Sequence, residues 1–232
     1  MINARTLAIV ACGIVGSIRG ADGQSLSQYR NFALGSGVAA VSALAGVDPA
    51  EAKTIHQRPA VLQNLEWRPS RWVAGSSASS LDPVEQILFS FYNDQLFRVV
   101  VDYGHERTEG MTGPDMIEGI SSIYGAPLPR SSRVAARAPS RLETESGSLV
   151  ARWGDSEHRV VLYETFSYGA AYRLIVTDAR LDDLARKAET QAARLDDQEA
   201  PAREIARQKK ERDDSRVAAA KTRAAKQGVF RP

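Results

Sequence analysis

Residues 86–103 read QILFSFYNDQLFRVVVDY, and this stretch decides the fold. Its first half places Ile87, Phe89 and Phe91 at every second position, which is the period of a half-buried β-strand. Its second half repeats that period, with apolar residues at Phe97, Val99, Val101 and Tyr103. Asn93 and Asp94 between the two halves are typical of a two-residue turn. The stretch therefore predicts an antiparallel β-hairpin.

The segment before this hairpin predicts two short helices and a strand. Residues 34–46, LGSGVAAVSALAG, show helical spacing, with Ser36 as the expected cap and Gly46 as the stop. Asp48, followed by a proline and then an acid at the third helical position, predicts a second short helix that ends before Pro59. Residues 65–67 predict a strand, and residues 69–80, rich in serine, predict a loop.

The segment after the hairpin repeats this order. Residues 112–127, TGPDMIEGISSIYGAP, predict a helix that Thr112 caps together with Asp115. Its expected apolar face consists of Met116, Ile120, Ile123 and Tyr124. Residues 128–147 predict a mobile connection, and three further strands follow at residues 149–153, 158–165 and 171–177.

The order of helix, tryptophan-containing strand, strand and strand thus occurs twice. Trp67 and Trp153 hold matching places, which suggests an internal duplication with repeats at residues 30–104 and 110–178. We expect an α+β fold in which both units form one continuous antiparallel sheet within a domain at residues 24–178. A charged helical tail, residues 179–232, completes the expected organisation.

The tail carries the basic excess of the chain. The net charge is +2 overall, divided as +1 for residues 1–23, −3 for residues 24–178 and +4 for residues 179–232. A thin apolar stripe of Leu181, Leu184, Ala188 and Leu195 predicts docking on the domain, and the part beyond Pro201 should project into solvent. A basic tail suits a polyanion, but its interspersed acids favour a solvated helix with ion pairs instead.

The first 23 residues have the pattern of a secretory signal peptide. Arg5 precedes an apolar run at residues 6–18, which is too short for a membrane-spanning helix, and cleavage is expected after Gly23. Cys12 is the only cysteine, so cleavage would leave a protein without thiols. The expected location is the periplasm or the exterior. The alternatives are a membrane anchor formed by the uncleaved leader, a lipoprotein signal ending at Cys12 and a short buried helix.

The two predicted units carry a family resemblance. The glycine-led helix at residues 34–46, followed by a hairpin, and the IYGAP ending at residues 123–127 resemble the small outer-membrane assembly lipoproteins of the SmpA/OmlA type. Two such units in tandem resemble the β-lactamase inhibitor protein fold. The resemblance covers residues 30–178 and implies a non-catalytic protein-binding module of the bacterial envelope.

No motif for catalysis, metal or cofactor binding stands in the chain. The three histidines, His56, His105 and His158, are far apart and show no local zinc-site spacing. Asp102, His105 and Glu106 lie close together at a strand end, which leaves a hydrolase or a small-ligand site open as an alternative. We predict no catalytic residues, no metal and no cofactor.

The sequence favours an exported, non-enzymatic interaction module. The expected contact residues are Trp72 with Arg71 in the serine-rich loop, and Tyr92 and Arg98 on the sheet. The partner is expected to be a protein, nucleic acid is not expected, and the sequence implies no oligomeric state. The rivals are the hydrolase or ligand site near Asp102 and His105, and a polyanion binder acting through the tail.

The leader gives the first testable prediction. Expression of the full chain in a Gram-negative host should release a periplasmic protein that begins near Gln24, because the leader has the charge and apolar pattern that the export machinery recognises. Fractionation with N-terminal mass spectrometry checks this. An uncut cytoplasmic protein would contradict the export prediction.

Overall fold

The computed structural model describes residues 25–69, 82–129, 146–165 and 169–229, with side chains up to residue 227. The predicted leader, most of the serine-rich loop and most of the predicted connection at residues 128–147 lie outside these ranges. In chain order, the elements are β1 (Gln28–Tyr29), β2 (Phe32–Ala33), α1 (Val38–Ala45), a 3-10 helix (Pro49–Glu51), β3 (Lys53–His56), β4 (Leu62–Trp67), β5 (Val84–Tyr92), β6 (Gln95–Gly104), a 3-10 helix (His105–Arg107), α2 (Gly113–Tyr124), β7 (Ser148–Gly154), β8 (His158–Glu164), β9 (Ala170–Asp178) and α3 (Ala179–Val229).

The described residues form one seven-stranded antiparallel sheet and a small two-stranded hairpin, β1-β2. The strand order in the large sheet is β3-β4-β5-β6-β9-β8-β7. Each half therefore contributes a meander, and the last strands of the two halves, β6 and β9, pair at the middle. The predicted α+β class, the continuous sheet and the long C-terminal helix are confirmed.

The central hairpin β5-β6 forms as the sequence predicts, but one side chain changes face. Asn93 and Asp94 both have positive φ, 46° and 63°, which is the conformation of the expected tight turn. The register shifts between Ser90 and Phe91, so that Phe91 pairs with Leu96. This bulge sends Phe97 to the opposite face from Val99, and the predicted alternation is wrong at that position.

The sheet has two different faces. The first is covered by α1, α2 and the β1-β2 hairpin, and it holds the largest core, with Leu65, Phe89, Val99, Trp153 and Leu174 almost fully buried. The second face carries α3 over one part and a smaller apolar cluster around Val100 and Ile175 elsewhere. The tail helix and the two short helices therefore lie on opposite sides of the sheet.

The start of α1 shows a cap that the sequence did not suggest. Ser36 is not the cap, because the N-cap position is Gly37 and has no side chain. Instead, the Asp94 carboxylate in the β5-β6 turn accepts a hydrogen bond from the Val38 amide at 2.8 Å. A long-range contact thus ties α1 to the central hairpin, while Gly46 ends the helix in the left-handed conformation as expected.

The predicted second short helix is reduced to one turn. Asp48 and Glu51 form the expected capping box, but it encloses only the 3-10 helix Pro49–Glu51. The following residues, with β-branched Thr54 and Ile55, become strand β3 and pair with β4. The capping residues specify a start, but no apolar stripe sustains a helix beyond it.

Helix α2 begins as predicted and buries a narrower face than expected. Thr112 and Asp115 form the capping box, and Met116 and Ile120 are buried. Tyr124 is partly buried, and its hydroxyl donates to the Gln28 carbonyl oxygen at 2.9 Å. Ile123, predicted on the apolar face, is 39% exposed because the helix contacts the sheet along its Met116 side only.

The two halves of the sheet are arranged about a local two-fold axis. Trp67 pairs with Ile87 of β5, and Ile87 pairs with Val101 of β6, the residue that follows Val100. Trp153 pairs with Val160 of β8, and Val160 pairs with Val176 of β9, the residue that follows Ile175. Val100 and Ile175 pair with each other, so this pair marks the centre of the relation. Such an arrangement is what a duplicated unit would give, and the duplication itself stays a prediction.

Two glycines give opposite predictions for the same substitution. Gly154, in the β7-β8 turn, has φ +152°, and a Cβ there would lie 2.5 Å from the His158 carbonyl oxygen. Gly154→Ala should therefore lower the free energy of unfolding by about 2 kcal/mol. Gly119→Ala, in α2 with no atom near its Cβ, should raise it by about 0.5 kcal/mol. Urea denaturation measures both, and equal changes in the two variants would contradict the structure.

Candidate interaction surface: the tail helix

The tail helix α3 starts without any loop after β9. Asp178, the last residue of the strand, accepts a hydrogen bond on its carboxylate from the Leu181 amide at 2.8 Å. The Ala179 amide donates to the Glu157 carbonyl oxygen at 2.8 Å. These contacts satisfy amides of the first helical turn and tie the start of α3 to the β7-β8 turn.

The first part of α3, residues 179–199, is its anchor on the sheet. Leu181, Ala185 and Ala188 are buried, and they pack in one cluster with Ala60, Leu62 and Phe97. Ala192 is buried as well, one turn further on. Alanine allows the helix to approach the strands closely, so the predicted docking is confirmed and its stripe is built mainly from small residues.

A buried carboxylate lies at the base of the anchor. Asp182 has no exposed side-chain surface, and it forms ion pairs with Arg98 of β6, with Arg159 of β8 at 3.5 Å and with Arg186 of α3 at 2.8 Å. Arg98 and Arg159 lie on either side of Thr177 in the register of the adjacent strands β6, β9 and β8. The strand register therefore places both guanidinium groups beneath the first turn of α3.

The three arginines also set the ionisation of Asp182. Burial alone would raise the pKa of its carboxyl group, but the charges of Arg98, Arg186 and Arg159 outweigh burial and hold the pKa below its ordinary value of 3.8. The carboxylate is therefore charged at neutral pH. We name Asp182 with its three arginines the ionic base of α3.

A second, more exposed contact marks the far end of the anchor. The Arg58 guanidinium, in the loop between β3 and β4, donates to both carboxylate oxygens of Glu199 at 3.0 and 3.1 Å. Pro201 follows two residues later and lacks the amide that would bond to the Asp197 carbonyl. The neighbouring Asp196 carbonyl accepts a hydrogen bond from Arg203 at 2.9 Å, and helical structure continues through the proline.

Beyond the anchor, α3 projects from the domain as an arm, residues 201–229. Every residue from 201 to 227 is exposed. The 29 residues correspond to about 43 Å of helix. Its two large aliphatic residues up to position 227 are open to solvent, with Ile205 68% and Val217 53% exposed. The arm has no apolar face that could dock elsewhere on the same domain.

The residues predicted to contact a partner fall in two places. Arg71 and Trp72 lie outside the described residues. Tyr92 is partly buried against the apolar cluster beneath α3, and Arg98 belongs to the ionic base, with its side chain 14% exposed. The structure therefore brings Tyr92 and Arg98 together as supports of α3, and the partner contact at all four residues stays a prediction.

Of the three polar residues in the alternative catalytic cluster, Asp102 is engaged by another side chain, whereas His105 and Glu106 line one groove. Asp102 is bound by Arg173 through two hydrogen bonds of 2.6 and 2.9 Å. His105 is exposed in the 3-10 helix beyond the strand, where it lines a groove of about 530 Å³ together with Glu106 and Glu164. Within the described ranges no hydrogen bond joins Asp102 to His105. A paired acid and base is therefore not formed by these two residues.

Tyr172 forms one wall of the same groove. Burial raises the pKa of its phenol, and the negative charges of Glu164 and Asp115 raise it further. The protonated hydroxyl donates to the Met111 carbonyl oxygen at 3.2 Å. The groove thus presents carboxylates and a phenol that keeps its proton. No three His, Cys, Asp or Glu side chains of the described residues are grouped to hold a metal ion.

Sequence reasoning missed the ionic base because two of its three arginines, Arg98 and Arg159, come from strands that are distant from Asp182 in sequence. The local signals are Arg186, four residues on in the same helix, and Asp182 itself, which stands beside Leu181 in the stripe that docks on the sheet. A charged residue at the edge of a buried stripe predicts a buried ion pair. The identity of its partners requires the strand register.

Comparisons with known proteins do not assign this chain to a family. No protein family, curated protein or solved structure matches this chain significantly. Among the described helices, none combines the length and the apolar character needed to cross a membrane. The resemblance to the SmpA/OmlA-type lipoproteins and to the β-lactamase inhibitor protein stays an expectation.

The ionic base predicts a pH dependence of stability. Asp182→Asn should lower the free energy of unfolding by about 3 kcal/mol at pH 7, because three guanidinium groups lose a shared charged acceptor. A carboxyl group with a lowered folded pKa stabilises the fold above its unfolded pKa, near 3.8, and loses that contribution as the pH falls further. The variant should therefore lose less stability than the parent chain below pH 3.8.

Chemical denaturation at several pH values measures this effect. Asp197→Asn, at an exposed position of the same helix, is the matched control and should change the stability by less than about 0.5 kcal/mol. Equal pH profiles for the parent and the Asp182 variant would show that the ionic base does not support the fold.

Proposed function

We propose that the protein is an exported, non-enzymatic interaction module that uses its α+β domain as a base and its arm as a contact. The observation that carries this proposal is the contrast within α3. Its first 21 residues are fixed by a buried carboxylate and an apolar cluster, whereas residues 201–227 are all exposed and belong to no apolar cluster of the described part of the domain.

The energetics of the arm support this role. A helix gains most of its stability in proteins from packing of an amphipathic face, and the arm has no such packing. It relies on local pairs, such as Glu204 with Arg207 at 2.9 Å and with Gln208 at 2.9 Å. Because it buries no apolar surface on the domain, the arm adds little to domain stability. A rigidly anchored, solvated helix is suited to reaching a surface away from the domain.

The leader supports export to the periplasm or the exterior. Residues 1–23 carry the signal pattern, and residues 24–232 contain no cysteine, which suits an oxidising compartment. An uncleaved leader would instead anchor the protein to a membrane.

The alternative of a hydrolase or small-ligand protein has weaker support. His105 lines a groove, but the Asp102 carboxylate is hydrogen-bonded to Arg173 and not to the His105 imidazole. The serine-rich loop with Trp72 and Arg71 remains a second contact region in the proposal. If a protein partner bound at this loop, the arm would serve as a spacer instead of as the main contact.

The proposal predicts that contacts concentrate on the arm. A photo-crosslinking amino acid at Ile205 or Val217 should give adducts in cells that make the protein, because both side chains are exposed on the projecting helix. The same amino acid at Leu44, 55% exposed on α1, is the control and should give few. Gel shifts and mass spectrometry identify the adducts, and equal yields at all three positions would contradict the role of the arm.

Removal of the arm tests its independence from the domain. A stop after Ala200 should leave the melting temperature within about 3 °C of the full chain, because residues 201–227 bury nothing on the domain. It should abolish the adducts that depend on the arm. A large fall in melting temperature would show that the arm has a structural role.

A further inference from the structure

The helical geometry of the arm separates charges that alternate in the sequence. Residues 201–229 contain nine cations and four acids, which reads as a mixture along the chain. Five of the cations follow each other at intervals of three, four, seven and three residues, namely Lys209, Arg212, Arg216, Arg223 and Lys226. At 3.6 residues per turn these side chains project within a sector of about 100°. We name this sector the basic stripe.

The acids lie outside the basic stripe. Asp213 lies just beyond one edge of the stripe, Glu204 and Glu211 lie beyond the other edge, and Asp214 projects from the opposite side of the helix. Among the described residues, none of the five stripe cations forms an ion pair. The cations of the other side are partly engaged, because Arg203 pairs with Asp196 at 2.9 Å and Arg207 pairs with Glu204 at 2.9 Å.

The basic stripe is therefore an exposed, one-signed surface about 26 Å long on a continuous helix. A field of one sign attracts an opposite surface charge, whereas mixed signs cancel it. Because the stripe lies along one side of the helix, the surface that fits it is flat and extended. Such a surface supplies negative charge to the side of the helix that carries the basic stripe.

We propose that the basic stripe lays the arm along the anionic headgroups of a lipid bilayer. This inference rests on the proposed role of the arm as the contact of the module. Adsorption is electrostatic and does not involve insertion, because an inserting helix needs an apolar face, and the large aliphatic residues of the arm, Ile205, Val217 and Val229, stand twelve residues apart from one another.

A duplex nucleic acid fits the arm less well. A helix in the major groove has phosphates on both of its sides, and basic regions that enter grooves carry cations around most of the helix. Here the flanks would bring Glu204 and Glu211 on one side and Asp213 on the other towards those phosphates. Acids on both flanks of the basic stripe favour a flat bilayer, which contacts the stripe alone, over a groove.

The test uses the full chain and two variants of equal net charge. The stripe variant carries Lys209→Gln, Arg212→Gln, Arg216→Gln and Arg223→Gln. The control variant carries the same loss of charge on the other side, with Arg203→Gln, Arg207→Gln, Lys210→Gln and Lys221→Gln. Far-ultraviolet circular dichroism shows whether both keep the helix, and sedimentation measures their partition onto vesicles.

Vesicles of phosphatidylcholine with about one third phosphatidylglycerol supply the anionic surface, at about 0.1 M salt. The stripe variant should bind at least about 50-fold more weakly than the parent chain, because each cation near an anionic surface contributes about fivefold. The control variant should lose less than about fivefold, since its cations face away from the bilayer by about a Debye length. Binding of the parent chain should fall on vesicles of phosphatidylcholine alone.

Three results would overturn the proposal. Equal losses in the two variants would mean that only net charge matters. Tighter binding of the arm to a DNA duplex than to the vesicles, with the same dependence on the stripe, would assign the stripe to a polynucleotide. No binding of the parent chain to anionic vesicles would remove the bilayer, while adducts from Ile205 and Val217 would still support the arm as a contact for another partner.

Discussion

The pairing of β6 with β9 is the interaction on which the rest of the structure depends. It joins two meanders that would otherwise be separate small sheets, in which β6 and β9 would each be an exposed edge strand. Its register also places Arg98, Thr177 and Arg159 in one line across the middle strands. Because α3 leaves β9 directly after this line, Asp182 meets both guanidinium groups, and the anchor of the helix follows from the pairing of the sheet.

Most of the fold could be predicted from local patterns, and the errors arose where a distant contact intervened. The alternation of residues 86–103, the capping box of Thr112 and the composition of the tail each specify their own element. Phe97 changes face because of a bulge that the alternation does not reveal. Helix α1 is capped by Asp94, which lies 56 residues away in sequence, so that nearby Ser36 is a misleading signal.

The interaction surface was less accessible to sequence reasoning than the fold. Arg98 was expected on an open sheet face, but a helix from the far end of the chain covers it. Cations and acids alternate along the sequence of the tail, which predicts a mixed surface. Only the rotation of the helix groups five of the cations in one sector without acids. Trp72 and Arg71 stay as predictions, because the loop that carries them lies outside the described residues.

The absence of a loop between β9 and α3 makes the helix a lever. Its 51 residues correspond to about 75 Å of length. Since residues 179–199 are packed on the sheet, the free lever is the arm of about 43 Å, and a bend of about 5° at the end of the anchor would carry the tip through about 4 Å. Load applied at the tip would be felt as torque on the middle of the sheet, where Asp182 and its arginines resist it. The same joint that displays the arm would thus report mechanical force on it to the domain.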